Sequence, residues 1–173
     1  MPRATREHKV KLNVQHIFNC SMDTYWAMFW DSDYSARIEK ETGVQREVLW
    51  MREEGPIKIY RVKFTPEGDL PAPIAKVTGT KKLVYEQENR LNTETHSMEW
   101  QVFPTVATDK VTAKGVMNMR EHPNGVERTV TGDVTVRVPL IGKRIEKLIL
   151  NSVVTSYEHA ADITRKWLSE QNA

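Results

Sequence analysis

The 173-residue sequence contains a single cysteine, Cys20, so no intrachain disulfide can form and no cysteine cluster can hold a metal. It lacks any run approaching the roughly 18 apolar residues of a membrane-spanning helix. The polar opening MPRATREHK has no apolar segment after it, so it does not read as a secretory signal. A cytoplasmic protein is the expectation. Neither sign of charge dominates: 25 basic and 23 acidic residues leave a net charge of +2, which gives no reason to expect nucleic acid as a partner. The five histidines, His8, His16, His96, His122 and His159, include no pair at the close spacing of a helical metal motif. There is no glycine-rich phosphate loop, internal repeat, low-complexity segment or linker. No cofactor or metal is therefore expected.

What is present suits one domain over residues 1–173, with residues 1–8 as a loose arm. Hydrophobic residues make up 39% and charged residues 28%, enough apolar chain to bury a core. In HKVKLNVQHIF, Val10, Leu12 and Val14, followed less cleanly by His16 or Ile17, alternate with polar residues, the period of a half-buried strand. Ser21 then suits a helix N-cap, with Asp23 in the first turn and Met22, Trp26, Phe29 and Trp30 on one face. A second short helix is predicted from about Asp33 to Glu41, stopped by Gly43. From Val44 to Pro139 six strands are predicted, with TPEGDLPAPI as a longer loop between the second and third. Asn124-Gly125 is the strongest hairpin signal. Val126, Val130, Val134, Val136 and Val138 share one face of the last strand, and polar residues share the other, so the sheet is covered on one side only. Gly79, Gly115 and Gly132 read as sites of bends or bulges.

The final element is a helix from about Leu140 to Leu168. Ile141, Ile145, Leu148, Ser152, Ser156, Ala160, Ile163 and Trp167 follow a spacing of three and four and form its apolar stripe. It is the one element long enough to cover the open face of a seven-stranded sheet. Pro139 ends the last strand, and Gly142 is expected to permit the reversal that lays the helix back across it.

The order of strand, two helices, six strands and long helix resembles the START-like (SRPBCC, helix-grip or Bet v 1-like) superfamily over nearly the whole chain. CSMDTYWAMFWDSDY resembles the entry into its first helix. DLPAPIAKVTG and the VPxxGxxxE junction (Val138, Pro139, Gly142 and Glu146) resemble a bacterial branch of unknown function. The resemblance implies an α+β fold in which a curved seven-stranded antiparallel sheet wraps around a long C-terminal helix, with two short helices between strands 1 and 2. By analogy it implies binding of a lipid-like or other hydrophobic small molecule.

The residues offer candidates for that role. Met98 and Trp100 share a face of one strand, and Met117 and Met119 share a face of the next. Methionine adapts to irregular apolar shapes, although each of these is equally an ordinary core residue. Leu148, Ser152 and Ser156 lie on the helix stripe, where small serines leave room or pack close to the sheet. His96, in phase with Met98, either lines a cavity or faces water. The ligand-binding set is thus His96, Met98, Trp100, Met117, Met119, Leu148, Ser152 and Ser156, with no catalytic residue assigned. Three other readings stand beside it. A cyclase or aromatase-type enzyme would need acid–base groups drawn from His96, Glu94, Tyr157 and Arg61. A cochaperone-like interaction module would expose an apolar patch, and Trp26, Trp30 and Trp50 are the residues to inspect. Arg137, Lys143, Arg144 and Lys147 form either a solvated helix end or a contact with anionic headgroups at a membrane surface. Cys20 precedes a helix but has no base nearby and reads as a small buried residue. The oligomeric state is open.

Overall fold

The computed structural model describes residues 11–173. The arm expected over residues 1–8, with His8, and Val10 therefore lie outside the described residues. The elements are β1 (Lys11–Phe18), α1 (Met22–Phe29), α2 (Ser32–Thr42), β2 (Val44–Glu54), β3 (Ile57–Pro66), α3 (Ala72–Thr78), β4 (Tyr85–Asn92), β5 (Ser97–Pro104), β6 (Val111–His122), β7 (Gly125–Val136) and α4 (Gly142–Gln171). The seven strands form one antiparallel sheet in the order β1-β7-β6-β5-β4-β3-β2. β1 pairs with β7 and leaves the two short helices as the crossing to the far edge, β2. This is the expected fold class.

Local chemistry explains the boundaries. The Ser21 hydroxyl accepts from Thr24 N at 3.1 Å and caps α1. Asp31 does the same for α2 through Tyr34 N at 2.8 Å, which starts that helix at Ser32. β1 presents Leu12, Val14, His16 and Phe18 inward and leaves Ile17 outside. β7 buries Val126, Val130, Val134 and Val136, and Arg128 in phase with them. At the β6–β7 turn, Gly125 alone takes positive φ; Asn124 instead keeps its amide on His122 Nδ1 at 3.1 Å.

Three expectations are corrected. The loop TPEGDLPAPI holds the start of a helix, α3, which has Pro73 in its first turn and ends at Gly79. Gly79 is thus a helix cap rather than a strand bend. Gly115 and Gly132 face each other in an unbroken register and mark no bulge. The Trp100 indole lies on them instead: a Cβ on either glycine would come within 2.6 Å of its Cζ2 atom. The two glycines make the flat bed on which that ring rests.

The strand-to-helix junction is tied by two contacts. Glu146 is almost wholly buried, and its carboxylate accepts the backbone N–H of Val136 at 2.9 Å. Gly142 lies under the same residue, so that a Cβ there would sit 2.4 Å from the Val136 carbonyl oxygen. Its φ is not positive, so the glycine serves close approach rather than the reversal itself. The positive φ at this corner belongs to Leu140 (69°). From here α4 runs 30 residues, on the order of 45 Å at 1.5 Å per residue. It packs on β7 and β1, and on α2 through the buried Tyr34 hydroxyl to Thr164 Oγ1 at 2.7 Å. Arg37 of α2 also binds the Glu170 carboxylate.

Candidate functional site

Because α4 lies along β1 and β7, the opposite half of the sheet has no comparable backbone approach from it. The consequence shows in the side chains. On the inward face of β3 to β6, residues nearest α1 and α2 are buried: Tyr60, Val62, Leu91, Met98, Trp100, Met117 and Met119. Further along the same face Phe64, Tyr85, Gln87, Val102 and Ala113 stay half-buried although they point inward. Opposite them, Ile149, Val153, Val154 and Tyr157 on α4 are half-buried too. This apolar, half-buried flank between sheet and helix is the candidate cleft.

One cation enters it. Arg46 pairs with Phe64 in the β2–β3 ladder, so its side chain points to the inward face, and its guanidinium lies 5.7 Å from the Phe64 ring centroid. Phe64 stacks in turn on Tyr85, with centroids 5.0 Å apart and the planes 14° from parallel. The Arg46 Nε atom is buried without a hydrogen-bond partner. Among the described residues no carboxylate lies within ion-pair distance of it. Burial pushes the Tyr85 hydroxyl up to about 12 and raises the Tyr157, Tyr60 and Tyr34 hydroxyls as well, while the Arg46 charge pulls each of the four back. All four remain neutral hydrogen-bond donors at neutral pH. Tyr60 donates to Met98 Sδ at 3.2 Å.

A second polar group sits at the closed side of α4. His16 is 3% exposed. Its Nε2 meets Glu158 Oε1 at 2.8 Å, and its Nδ1 meets Arg128 Nη2 at 3.2 Å. Arginine can only donate, so Nδ1 accepts and Nε2–H donates to the carboxylate. Desolvation lowers the imidazole pKa; the Glu158 hydrogen bond opposes it, and the Arg128 charge adds to the lowering. Arg128 covers the rings of Phe18 and Tyr157 at 5.0 and 5.4 Å.

The predicted ligand-binding residues separate into groups. Met98, Trp100, Met117 and Met119 share the inward face, as expected, and are buried floor. Leu148 packs in a small cluster with Ile74, Val136 and Ile145, under α3. Ser152 and Ser156 are exposed, because the inward arc of α4 runs through Ile149, Val153 and Tyr157. His96 is in the turn before β5, with φ 56°, and stacks on Trp26 at 6.0 Å. Among the acid–base candidates, Arg61 faces outward to Glu86 at 2.6 Å and Glu94 is exposed in a turn, whereas Tyr157 does face the cleft. Cys20 has its thiol pKa raised by burial, the opposite of an activated nucleophile. Arg46 and the His16–Arg128 pair escaped sequence reading. The signal for Arg128 was present, since it lies in phase with the β7 valines.

Elsewhere, the outward face carries a shallow depression of about 680 Å³ over the Gly115–Gly132 pair, rimmed by Lys11, Arg90, Glu99, Lys114 and Asp133. Its rim is mixed in charge. Among the described residues no group of three or more His, Cys, Asp or Glu side chains could hold a metal ion. No described helix is long and apolar enough to cross a membrane.

Residues 13–168 match the model of a family described as a protein of unknown function (DUF2505). No curated protein matches the chain. Among solved structures, the Zhui aromatase/cyclase from Streptomyces sp. R1128 superposes with a TM-score of 0.67 at 12% identity, covering 96% of this chain and 97% of that one. TTHA0849 from Thermus thermophilus gives 0.62 at 15% identity, covering 90% and 97%. Ms6760 from Mycobacterium smegmatis gives 0.62 at 16%, covering 92% and 91%. At these identities the likeness is one of fold, the helix-grip arrangement.

Proposed function

We propose that this chain, which belongs to the DUF2505 family, binds a hydrophobic small molecule bearing an acidic group in the cleft between α4 and the inward face of β2 to β6. The observation that carries the reading is Arg46: a cation with a buried, unpartnered Nε, held against Phe64 at the side of an apolar cleft. A donor left buried without a partner is costly, and a carboxylate or phosphate on the ligand would relieve it with charge-assisted hydrogen bonds. Apolar burial against Phe64, Val102, Val153 and Tyr157 would supply most of the affinity, at about 25 cal/mol per Å² before the costs of association. The fully exposed Leu140, beside Arg144 and Lys147, gives a tip suited to touching an anionic lipid surface during exchange.

The test compares a fluorescent fatty acid with its methyl ester. The protein should bind the acid more tightly, and Arg46→Met should weaken the acid by about tenfold while leaving the ester unchanged. Native mass spectrometry of protein purified without detergent should show a bound apolar molecule. Failure to bind either probe, together with an empty native spectrum, would overturn the reading. A cyclase-type enzyme is the second reading, favoured by Tyr157 facing the cleft and by the likeness to an aromatase/cyclase. Turnover of a poly-β-ketone probe that is lost in Tyr157→Phe would favour it over simple binding.

A further inference from the structure

Among the described residues, β2 is the last strand of the sheet and pairs only with β3. Its other side presents a row of backbone N–H and C=O groups along 11 residues. Long edges of this kind are normally blunted by proline, by charge, by shortness or by a bulge that alters the twist. Here the middle of the edge is apolar instead. Val48, Leu49, Trp50 and Met51 are 57%, 40%, 37% and 44% exposed.

The residues around that centre form a charge palindrome: Arg46-Glu47-Val48-Leu49-Trp50-Met51-Arg52-Glu53. Laid antiparallel on a second copy, Glu47 meets Arg52, Arg46 meets Glu53, Val48 meets Met51 and Leu49 meets Trp50. In a regular strand this pairing fails. Glu47 and Arg52 are an odd number of residues apart and would point to opposite faces, whereas partners across an antiparallel pair share a face. β2 is not regular. Val48 pairs with Val62 and Trp50 with Arg61, so Leu49 is an extra, bulged residue. The bulge switches the alternation at the centre of the palindrome. Glu47 pairs with Lys63 and Arg52 with Ile59, two positions on the same face of β3. Val48 and Met51 likewise sit opposite Val62 and Tyr60, both inward, and Arg46 and Glu53 sit opposite Phe64 and Lys58, both inward. Every oppositely charged pair in the palindrome therefore becomes a same-face pair, because the bulge falls where it does.

We propose that β2 is a self-pairing edge: two copies of the chain join antiparallel through β2 about a two-fold axis at Leu49–Trp50, continuing the sheet from one protomer into the next. Such an interface is isologous, so each pair occurs twice. Two Glu47–Arg52 pairs lie on the outward face. Val48 and Met51 cover each other on the inward face, while Arg46 stays turned towards Phe64 and the cleft. The ion pairs these side chains now make do not oppose the rearrangement. Arg52–Glu54 at 3.0 Å within β2 is exposed and Glu53–Lys58 at 3.3 Å across to β3 is partly exposed, and pairs of this kind contribute little. A parallel arrangement in the same register would set Glu47 against Glu47 and Arg52 against Arg52, so the charges also select direction.

The experiment is charge reversal on the outward pair, away from Arg46, read by sedimentation equilibrium on the full chain. The unmodified protein should be a concentration-dependent dimer. E47R alone and R52E alone should each weaken the dimer by about tenfold or more, since each sets like charges together twice. The double variant E47R/R52E should recover it. The two single variants, mixed, should form a heterodimer more stable than either alone, because every outward pair is then oppositely charged. Circular dichroism and thermal unfolding confirm that each variant is folded. A monomer at all concentrations up to about 0.1 mM, a hundredfold above a micromolar Kd, overturns the proposal. So does a dimer that neither single reversal affects, or single variants that do not recover on mixing. Glu47 and Arg52 face away from the proposed ligand cleft, so their reversal should leave the preference for the acid over its ester unchanged even where the dimer is lost, which separates failure of this proposal from failure of the ligand reading.

Discussion

The carboxylate of Glu146 on α4 accepts the backbone N–H of Val136 at the end of β7, ten residues earlier in the chain, and both groups are buried. On the side of β7 away from β6 the described ladder to β1 ends at Asp133, and the Val136 N–H finds its acceptor on the helix that follows. The carboxylate thus satisfies a donor that would otherwise be stranded at the corner, and it fixes where the helix begins relative to the sheet. Removing it leaves that N–H buried and unpaired. Glu146→Ala should cost about 1–3 kcal/mol of unfolding free energy in urea titration. Glu146→Gln, which keeps a carbonyl acceptor, should cost less.

Trp100 and the glycines beneath it make a second test. In Gly132→Ala the new Cβ would lie 2.5 Å from the indole and 2.7 Å from the Lys114 carbonyl oxygen. Overpacking of this kind should destabilise by about 1–3 kcal/mol. In a Trp100→Phe background the penalty should shrink, because the Cζ2 atom is gone, but not vanish, because the Lys114 carbonyl remains. Chemical denaturation of the four proteins of this cycle gives the coupling directly.

His16 sets a pH dependence of known sign. Its pKa in the folded protein is depressed below the ordinary imidazole value of 6.5, chiefly by desolvation. The unfolded chain therefore takes up the proton first as pH falls. The contribution of neutral His16 to stability is fully present above about pH 6.5 and is lost as pH falls below it towards the folded value. Thermal unfolding followed from pH 8 to pH 5 should show this loss, and His16→Gln should flatten that part of the profile. The profile of Glu158→Gln should start its fall at the same pH but fall further, since the hydrogen bond that raises the folded pKa is weakened.

The Tyr34 hydroxyl joins α2 to α4 through Thr164, itself bonded to the Ala160 carbonyl at 2.7 Å. Tyr34→Phe keeps the ring that packs on Trp167 and removes one buried hydrogen bond. A loss of about 1 kcal/mol is expected. Hydrogen exchange should show the added opening concentrated in the last turns of α4 rather than in the sheet.

How far the sequence discloses this structure depends on how local each signal is. Strands β1, β4 to β7 and the long helix follow from periodicity, because the alternation of Leu12, Val14 and the β7 valines is written residue by residue. α3 is hidden, since a helix of seven residues opening on prolines carries too few turns to show a period. His96 is misplaced because alternation extended backwards from Met98 runs past the true start of β5 at Ser97. Ser152 and Ser156 lie one step off the inward arc: with 3.6 residues per turn, a stripe counted in threes and fours drifts around a 30-residue helix. Arg46 is the deeper omission. In the sequence it is one charge in a charged stretch. Only the bulge at Leu49 and the pairing with Phe64 reveal which way it points, and both are properties of the ladder rather than of the strand.

The two ends of α4 are both fastened. Glu146 ties the first turn to β7, while Tyr34–Thr164 and Arg37–Glu170 tie the last turns to α2. Mechanically the helix is a beam pinned at each end, not a lid on a hinge. Swinging it away would break both sets of ties at once, whereas bowing its middle, at Val153 and Tyr157, breaks neither. A ligand of the proposed cleft would have to enter sideways under that span, along the flank where Phe64, Tyr85 and Val102 are only half-buried.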